Sequence, residues 1–223
     1  MIDLTRRATD PEMLDEGVPD EEALRSLADI RFVNRWLGNR GRLASIVRPY
    51  LEASPRPRLL DVGCGSADIP AYLLSKTPRL VAVGVDIKLL HLEAAPREVR
   101  RVRADVRALP FPPRTFDVVM ASLFLHHFDG PEVADVLRGL FALTRGALVI
   151  NDLRRARLPY AFARATFPLL LRSRVSRNDG LLSIRRAFTR DELAAAFVEA
   201  RIPVRIERAF PYRLLAVAER PAA

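Results

Sequence analysis

The sequence predicts an α/β fold built on a mostly parallel sheet with helices on both faces. Two observations carry that expectation. Between residues 58 and 151 short apolar runs alternate with helix-patterned segments, the rhythm of parallel strands joined by crossover helices. The first run ends in Gly63-Cys64-Gly65 and passes directly into a helical pattern. In open parallel sheets that strand–turn–helix junction is where ligands are held.

Each element has its own warrant. Residues 1–20 show no apolar period and are expected to be a mobile acidic arm. Residues 21–52 carry Leu24, Leu27, Ile30, Val33 and Leu37 at helical spacing, with a break at Gly38–Gly41 that makes two helices. Pro55–Arg58 reads as a linker. Strands are then expected at Arg58–Val62, Leu80–Asp86, Val99–Ala104, Phe116–Ala121 and Gly146–Asn151. Helices are expected at Ala67–Lys76, Ile87–Ala95 and from Pro131 to Leu143, proline being favoured in a first turn. Asp152–Phe188 is long for a connection and should have structure of its own. Thr189-Arg-Asp-Glu192 is a capping box opening a helix to about Ala200. Arg205–Ala209 and Arg213–Glu219 should close the sheet as an antiparallel pair around Pro211. The division this implies is an N-terminal arm with cap helices over 1–54 and a main domain over 55–223 with a lid insert at 153–188.

Composition bounds the rest. The chain has 223 residues, 49% of them hydrophobic, which is too apolar for a disordered chain. One cysteine, Cys64, excludes an internal disulfide. With only His91, His126 and His127 beside it, no metal site is expected. No apolar run reaches the ~18 residues of a membrane span, and the first residues lack the core and cleavage site of a signal peptide. A cytoplasmic location is therefore expected. Formal net charge is +9, and all but two of the 36 basic residues are arginine. That balance suits nucleic acid, an anionic membrane surface or an acidic ligand, and equally an arginine bias of the coding sequence.

The chemistry concentrates in Leu59-Leu60-Asp61-Val62-Gly63-Cys64-Gly65-Ser66-Ala67-Asp68. Gly63 and Gly65 let a ligand lie against bare backbone. Asp86, 21 residues beyond Gly65, ends the second strand, where a carboxylate can accept both hydroxyls of a ribose. A dinucleotide site needs a small residue at the third position of G-x-G-x-x-G/A, and Asp68 stands there instead. A carboxylate would repel a pyrophosphate but favours a sulfonium nucleoside, so S-adenosylmethionine is the expected cofactor. Cys64 belongs to the loop as a small filler, since no base partner for a nucleophile is visible nearby.

These stretches, with VGVDI at 83–87, ADVRALPF at 104–111 and FDVVMASLFLHHF at 116–128, resemble the class I S-adenosylmethionine-dependent methyltransferases. The resemblance is to their small-molecule branch, typified by quinone C-methyltransferases and the type 11 methyltransferase domain. It implies a Rossmann-like seven-stranded sheet of order 3-2-1-4-5-7-6 with strand seven antiparallel. It also implies that Asp61, Gly63 and Gly65 hold the amino-acid end of the cofactor, Asp86 the ribose, Ile87, Asp105 and Val106 the adenine, and that Ser122 and Leu123 face the methyl donor. The frequent third glycine of the family is replaced here by Ala67-Asp68.

Methyl transfer from a sulfonium is largely a matter of alignment, with a base needed only for a protonated acceptor. His126, His127 and Asp152 are the candidates for such a role, against a plain structural turn. Trp36, Asn151, Tyr160 and Phe162 are candidate acceptor contacts. The insert mixes apolar residues with Arg154, Arg155, Arg157, Arg164, Arg172 and Arg174, the composition of a lid over an apolar acceptor or of a face on anionic lipid. The expected acceptor is small and apolar or aromatic, of phenolic, quinone or polyketide type. An RNA or protein acceptor is the alternative enzyme reading, and a non-catalytic binding protein the alternative class. The base-stacking motif of nucleic-acid N-methylases is missing after the fourth strand, where Ala121-Ser122-Leu123-Phe124 stands, so nucleic acid is not the expected partner.

Overall fold

The computed structural model describes residues 2–220. Nine helices are seen among them: α1 (Met13–Glu16), α2 (Asp20–Trp36), α3 (Asn39–Glu52), α4 (Asp68–Lys76), α5 (Leu89–Glu93), α6 (Glu132–Leu143), α7 (Arg157–Leu170), α8 (Arg174–Arg186) and α9 (Arg190–Glu199). Seven strands, β1 (Arg58–Val62), β2 (Val81–Asp86), β3 (Arg100–Arg103), β4 (Phe116–Ser122), β5 (Thr144–Leu153), β6 (Arg205–Ala209) and β7 (Arg213–Glu219), form one sheet. Their order is β3-β2-β1-β4-β5-β7-β6, with β7 antiparallel to both neighbours. This is the expected topology.

Period-two alternation assigns side chains to the two faces. Leu60, Val119 and Leu148 meet α6 and α9 through Leu137, Leu140 and Phe197. Their sequence neighbours Leu59, Val118 and Val149 face α3 and α4 through Leu43, Val47 and Leu73. Each fully buried leucine contributes roughly 1.5–3 kcal/mol. Helix α3, grouped from sequence with the cap, therefore packs on the sheet itself.

The local signals act as expected. Gly38, in the left-handed region at φ 71°, separates α2 from α3. The Thr189 hydroxyl accepts the Glu192 N–H at 3.3 Å, and the Glu192 carboxylate accepts the Thr189 N–H at 2.8 Å. Helix α5 is shorter than its pattern because Lys88 stays extended, its N–H donated to Asp86 at 2.9 Å. Strand β5 is longer because β7 pairs with it as far as Leu153, opposite Arg213.

The acidic arm is the main departure. It is packed against the protein. The Asp179 carboxylate accepts the N–H groups of Met13 and Leu14 at 3.0 and 2.9 Å. Arg186 donates to the Asp10 carbonyl, Arg155 to the Leu4 carbonyl, and Ala8 N–H to the Arg185 carbonyl. An acidic segment has found the arginine-rich insert. Helix α2 joins the same layer: Asp29 accepts the N–H groups of Arg172 and Ser173, and Ser176 bonds Ser26 at 3.0 Å. The arm, α2, α7 and α8 thus roof the carboxyl edge of the sheet. No described helix is long and apolar enough to cross a membrane.

Candidate functional site

Beneath that roof is a cavity of about 450 Å³, within the range of small-molecule sites. One end is the β1–α4 turn. Gly63 has φ 65°, and a Cβ on it would lie 2.1 Å from the Phe124 ring, so no other residue fits. The Gly65 N–H donates to Asp86 Oδ2 at 2.9 Å, tying the turn to the end of β2. Val62, Gly63, Gly65, Asp86, Ile87 and Asp105 all contribute to the wall, as do Val106 and Leu123. Asp105 caps its own turn by accepting the Arg107 N–H at 2.9 Å.

This end is electron-rich. Burial, then the neighbouring charges of Asp68 and Asp86, hold the Asp61 carboxyl well above the usual carboxylate range. Burial also raises Asp68, against the pull of Asn34, Arg40 and Arg31, and its Oδ2 is buried without a partner. Of these three carboxyls only Asp86 lines the cavity; Asp61 and Asp68 lie behind the turn, and their proximity makes it a setting that fits a cationic ligand and disfavours a phosphate. Burial and the same acids push the Cys64 thiol far up. It sits half-buried off the cavity wall, its sulfur close under Gly84, as a filler.

The other end holds two stacked imidazoles, ring centroids 4.5 Å apart. His126 Nδ1 lies 2.7 Å from Asp152 Oδ1, and its Nε2 is 3.4 Å from Glu12. His127 Nδ1 meets Asp15 Oδ2 at 2.8 Å. Burial works to lower the His126 pKa, but Asp152 and Glu12 outweigh it and push it up to about 10. Burial likewise opposes ionisation of Glu12, Asp15 and Asp152, and the imidazoles overcome it, holding all three low. Glu12, His126 and His127 offer donor atoms within 4.8 Å of one another, a spacing that a divalent cation can bridge. In the structure each imidazole already has carboxylate partners.

Several expected contacts lie elsewhere. Trp36 is 71% exposed and leans on Phe32; its helix turns it to the outside of the roof. Phe162 packs on Tyr212, and Tyr160 is half-buried on α7, both off the cavity wall. The buried Asn151 amide donates to Asn39 at 3.1 Å and Ser122 at 2.8 Å. Through Asn39 and Asn34 that chain reaches Asp68, so Asn151 and Ser122 brace the strand ends. Asp152 stands behind His126. The sequence reading missed Glu12, Asp15, Phe124, His91 and Arg213, all in the wall. Only the adjacent pair His126-His127 hinted at partners of this kind.

Residues 59–146 match the family model described as a methyltransferase domain, and the sheet order is that of its class I members. Over that segment the chain carries a methyltransferase domain. The chain is 32% identical over 129 residues to a demethylmenaquinone methyltransferase of Thermus thermophilus, covering 55% of this chain and 56% of that one. It is 27% identical over 132 residues to one from Chlorobaculum tepidum, covering 58% and 53%. The match thus spans about half the length of these curated relatives. In fold, the chain resembles the plantazolicin methyltransferase solved with a desmethyl analogue and SAH, at TM-score 0.68 and 13% identity over 91% of this chain and 98% of that one.

Proposed function

We propose that the chain transfers a methyl group from S-adenosylmethionine to a small apolar or aromatic acceptor. One observation carries the reading: a single cavity joins the carboxylate-lined glycine turn to the imidazole pair. In this reading Asp61, Gly63 and Gly65 hold the cationic amino-acid end, Asp86 accepts the ribose hydroxyls, and Ile87, Asp105 and Val106 bracket the adenine. When bound, the cofactor supplies an activated methyl group on a sulfonium whose leaving group is a neutral thioether.

The chain's own residues do the remainder. The roof excludes water and aligns the acceptor, the larger part of the rate gain in such a displacement. His127 lines the cavity and is half-buried, with Nδ1 held by Asp15. That leaves its Nε2 as the atom to take a proton from a hydroxyl or acidic carbon. His126, locked between Asp152 and Glu12, positions its neighbour. The quinone and natural-product names of the relatives support a small acceptor. The exposed Leu158, Leu169 and Leu170 beside Arg157 and Arg172 on the roof support a peripheral contact with anionic membrane, which liposome sedimentation tests.

The deciding experiment is incubation with labelled S-adenosylmethionine and a panel of phenols, quinones and RNA. Label is expected in a phenol or quinone. Label in RNA alone would replace this reading with the nucleic-acid one.

A further inference from the structure

The chain buries three arginines among its described residues, and two of them have a partner at every nitrogen. Arg155 donates to the Leu4 and Ala187 carbonyls and to Glu192. Arg186 donates to the carbonyls of Asp10, His126 and His127. Arg213 differs. It is 3% exposed, its Nε and Nη1 have no hydrogen-bond partner, and it forms no ion pair with any described residue. Burial pulls its pKa down to about 10, with Asp152 opposing.

Its place in the fold gives the orphaned charge meaning. Arg213 opens β7, opposite Leu153 at the carboxyl edge of the sheet, and its side chain is part of the cavity wall. Phe167 and Leu171 also line the cavity, so the surroundings are poor in water. The only charge that opposes the shift, Asp152, is already engaged. Its Oδ1 takes the His126 ring and the Leu153 N–H, and its Oδ2 takes the His126 N–H. The other lining carboxylates of the roof are committed too: Glu12 to Ser183 and His126, Asp15 to His127, Asp29 and Asp179 to backbone N–H groups. A buried guanidinium without a counter-ion is strongly unfavourable, and no described residue pairs with it.

We propose that the acceptor supplies it: Arg213 recognises an oxygen anion on an aromatic or apolar acceptor, a carboxylate or an ionised acidic phenol. This rests on the methyltransferase reading and narrows its substrate class. The planar fork of the guanidinium matches two oxygens of a carboxylate or a phenolate with an adjacent carbonyl.

The test uses the full chain saturated with SAH and two matched pairs of probes at mildly alkaline pH. One pair is 2-naphthoate and neutral 2-naphthamide; the other is 4-nitrophenolate and neutral 4-nitroaniline. In the native protein the anion of at least one pair should bind about tenfold or more tightly than its neutral partner, the modest end of what a desolvated charge pair contributes. The pair that shows the preference tells carboxylate from phenolate. Arg213→Met should abolish the preference, and Arg213→Lys should retain part of it. Arg213→Met removes an unpaired buried charge, so its unfolding temperature should hold or rise; a structural role would lower it. Equal affinity within both pairs, failure of both anions to bind, or a preference that survives in Arg213→Met overturns the proposal. SAH affinity, measured first in the native protein, separates this from failure of the methyltransferase reading.

Discussion

Asp152 grips His126 twice, through the ring Nδ1 at 2.7 Å and the backbone N–H at 3.1 Å. The far side of the ring faces Glu12 of the arm at 3.4 Å. A charged imidazole between two carboxylates therefore clasps the N-terminal arm onto the loop after β4. His126 titrates near 6.5 when unfolded and at about 10 in the fold. Its contribution is fully present below about pH 6.5 and is lost as pH rises through about 10. Glu12 and Asp152 are held low, so theirs disappears only as pH falls below the ordinary carboxylate range.

The unfolding temperature should therefore drop on the alkaline side as pH passes about 10. Glu12→Gln removes one of the two carboxylates and should move that drop to lower pH. Thermal unfolding followed by circular dichroism reads both. A drop at the same pH in the variant would mean that the arm is not coupled to this proton.

Much of this was legible in the sequence because its cause is local. β1, β6 and β7 have the limits that their apolar runs announce, and Thr189 and Glu192 form the box that their spacing dictates. The glycine turn and Asp86 were legible because close backbone approach and a strand-end carboxylate leave residue-type signatures. The arm was not, because Met13 and its anchor Asp179 are 166 residues apart and no period links them. Asn151 looked like an acceptor contact because a buried amide reads alike whether its partner is a ligand or, as here, Asn39. Arg213 carries no signal of its own in the sequence, where it only begins a strand; the antiparallel pairing with β5 brings it to the cavity.

Asp61 is buried beside Asp68 and Asp86, and its raised pKa means that the ionised form is disfavoured until a cation arrives. Asp61→Asn should thus raise the unfolding temperature of the ligand-free protein at neutral pH while weakening S-adenosylmethionine binding about tenfold or more, as for loss of a charged hydrogen-bond partner. In the native protein, binding should release protons. Calorimetry in two buffers of different ionisation enthalpy measures that release. Identical heats in both would show that Asp61 does not change protonation.

Asp86 has three structural partners, the N–H groups of Gly65 and Lys88 and the His91 ring at 3.4 Å, and on this reading a ligand as well. Asp86→Ala should weaken SAH binding by about 1–3 kcal/mol. Asp86→Asn keeps one acceptor oxygen for the turn but loses the charge, so it separates loop distortion from ligand contact. An affinity unchanged in both variants would remove Asp86 from the ribose.

Asp179 caps α1, accepting the N–H groups of Met13 and Leu14 in a part-buried contact. Asp179→Ala removes both bonds, at about 0.5–2 kcal/mol for a lost cap, and the arm should populate an undocked state. Arg6 and Arg7 then become trypsin sites, since Arg7 in the fold is held by the carbonyls of His126, Phe128 and Arg186. Cleavage after these residues should accelerate several-fold, with the sheet unfolding at nearly the same temperature. Because Glu12 and Asp15 leave with the arm, His126 and His127 lose partners together, and methyl transfer should fall more than SAH affinity does. Equal proteolysis of native and variant protein would show that the arm is held by the imidazoles and arginines without its cap.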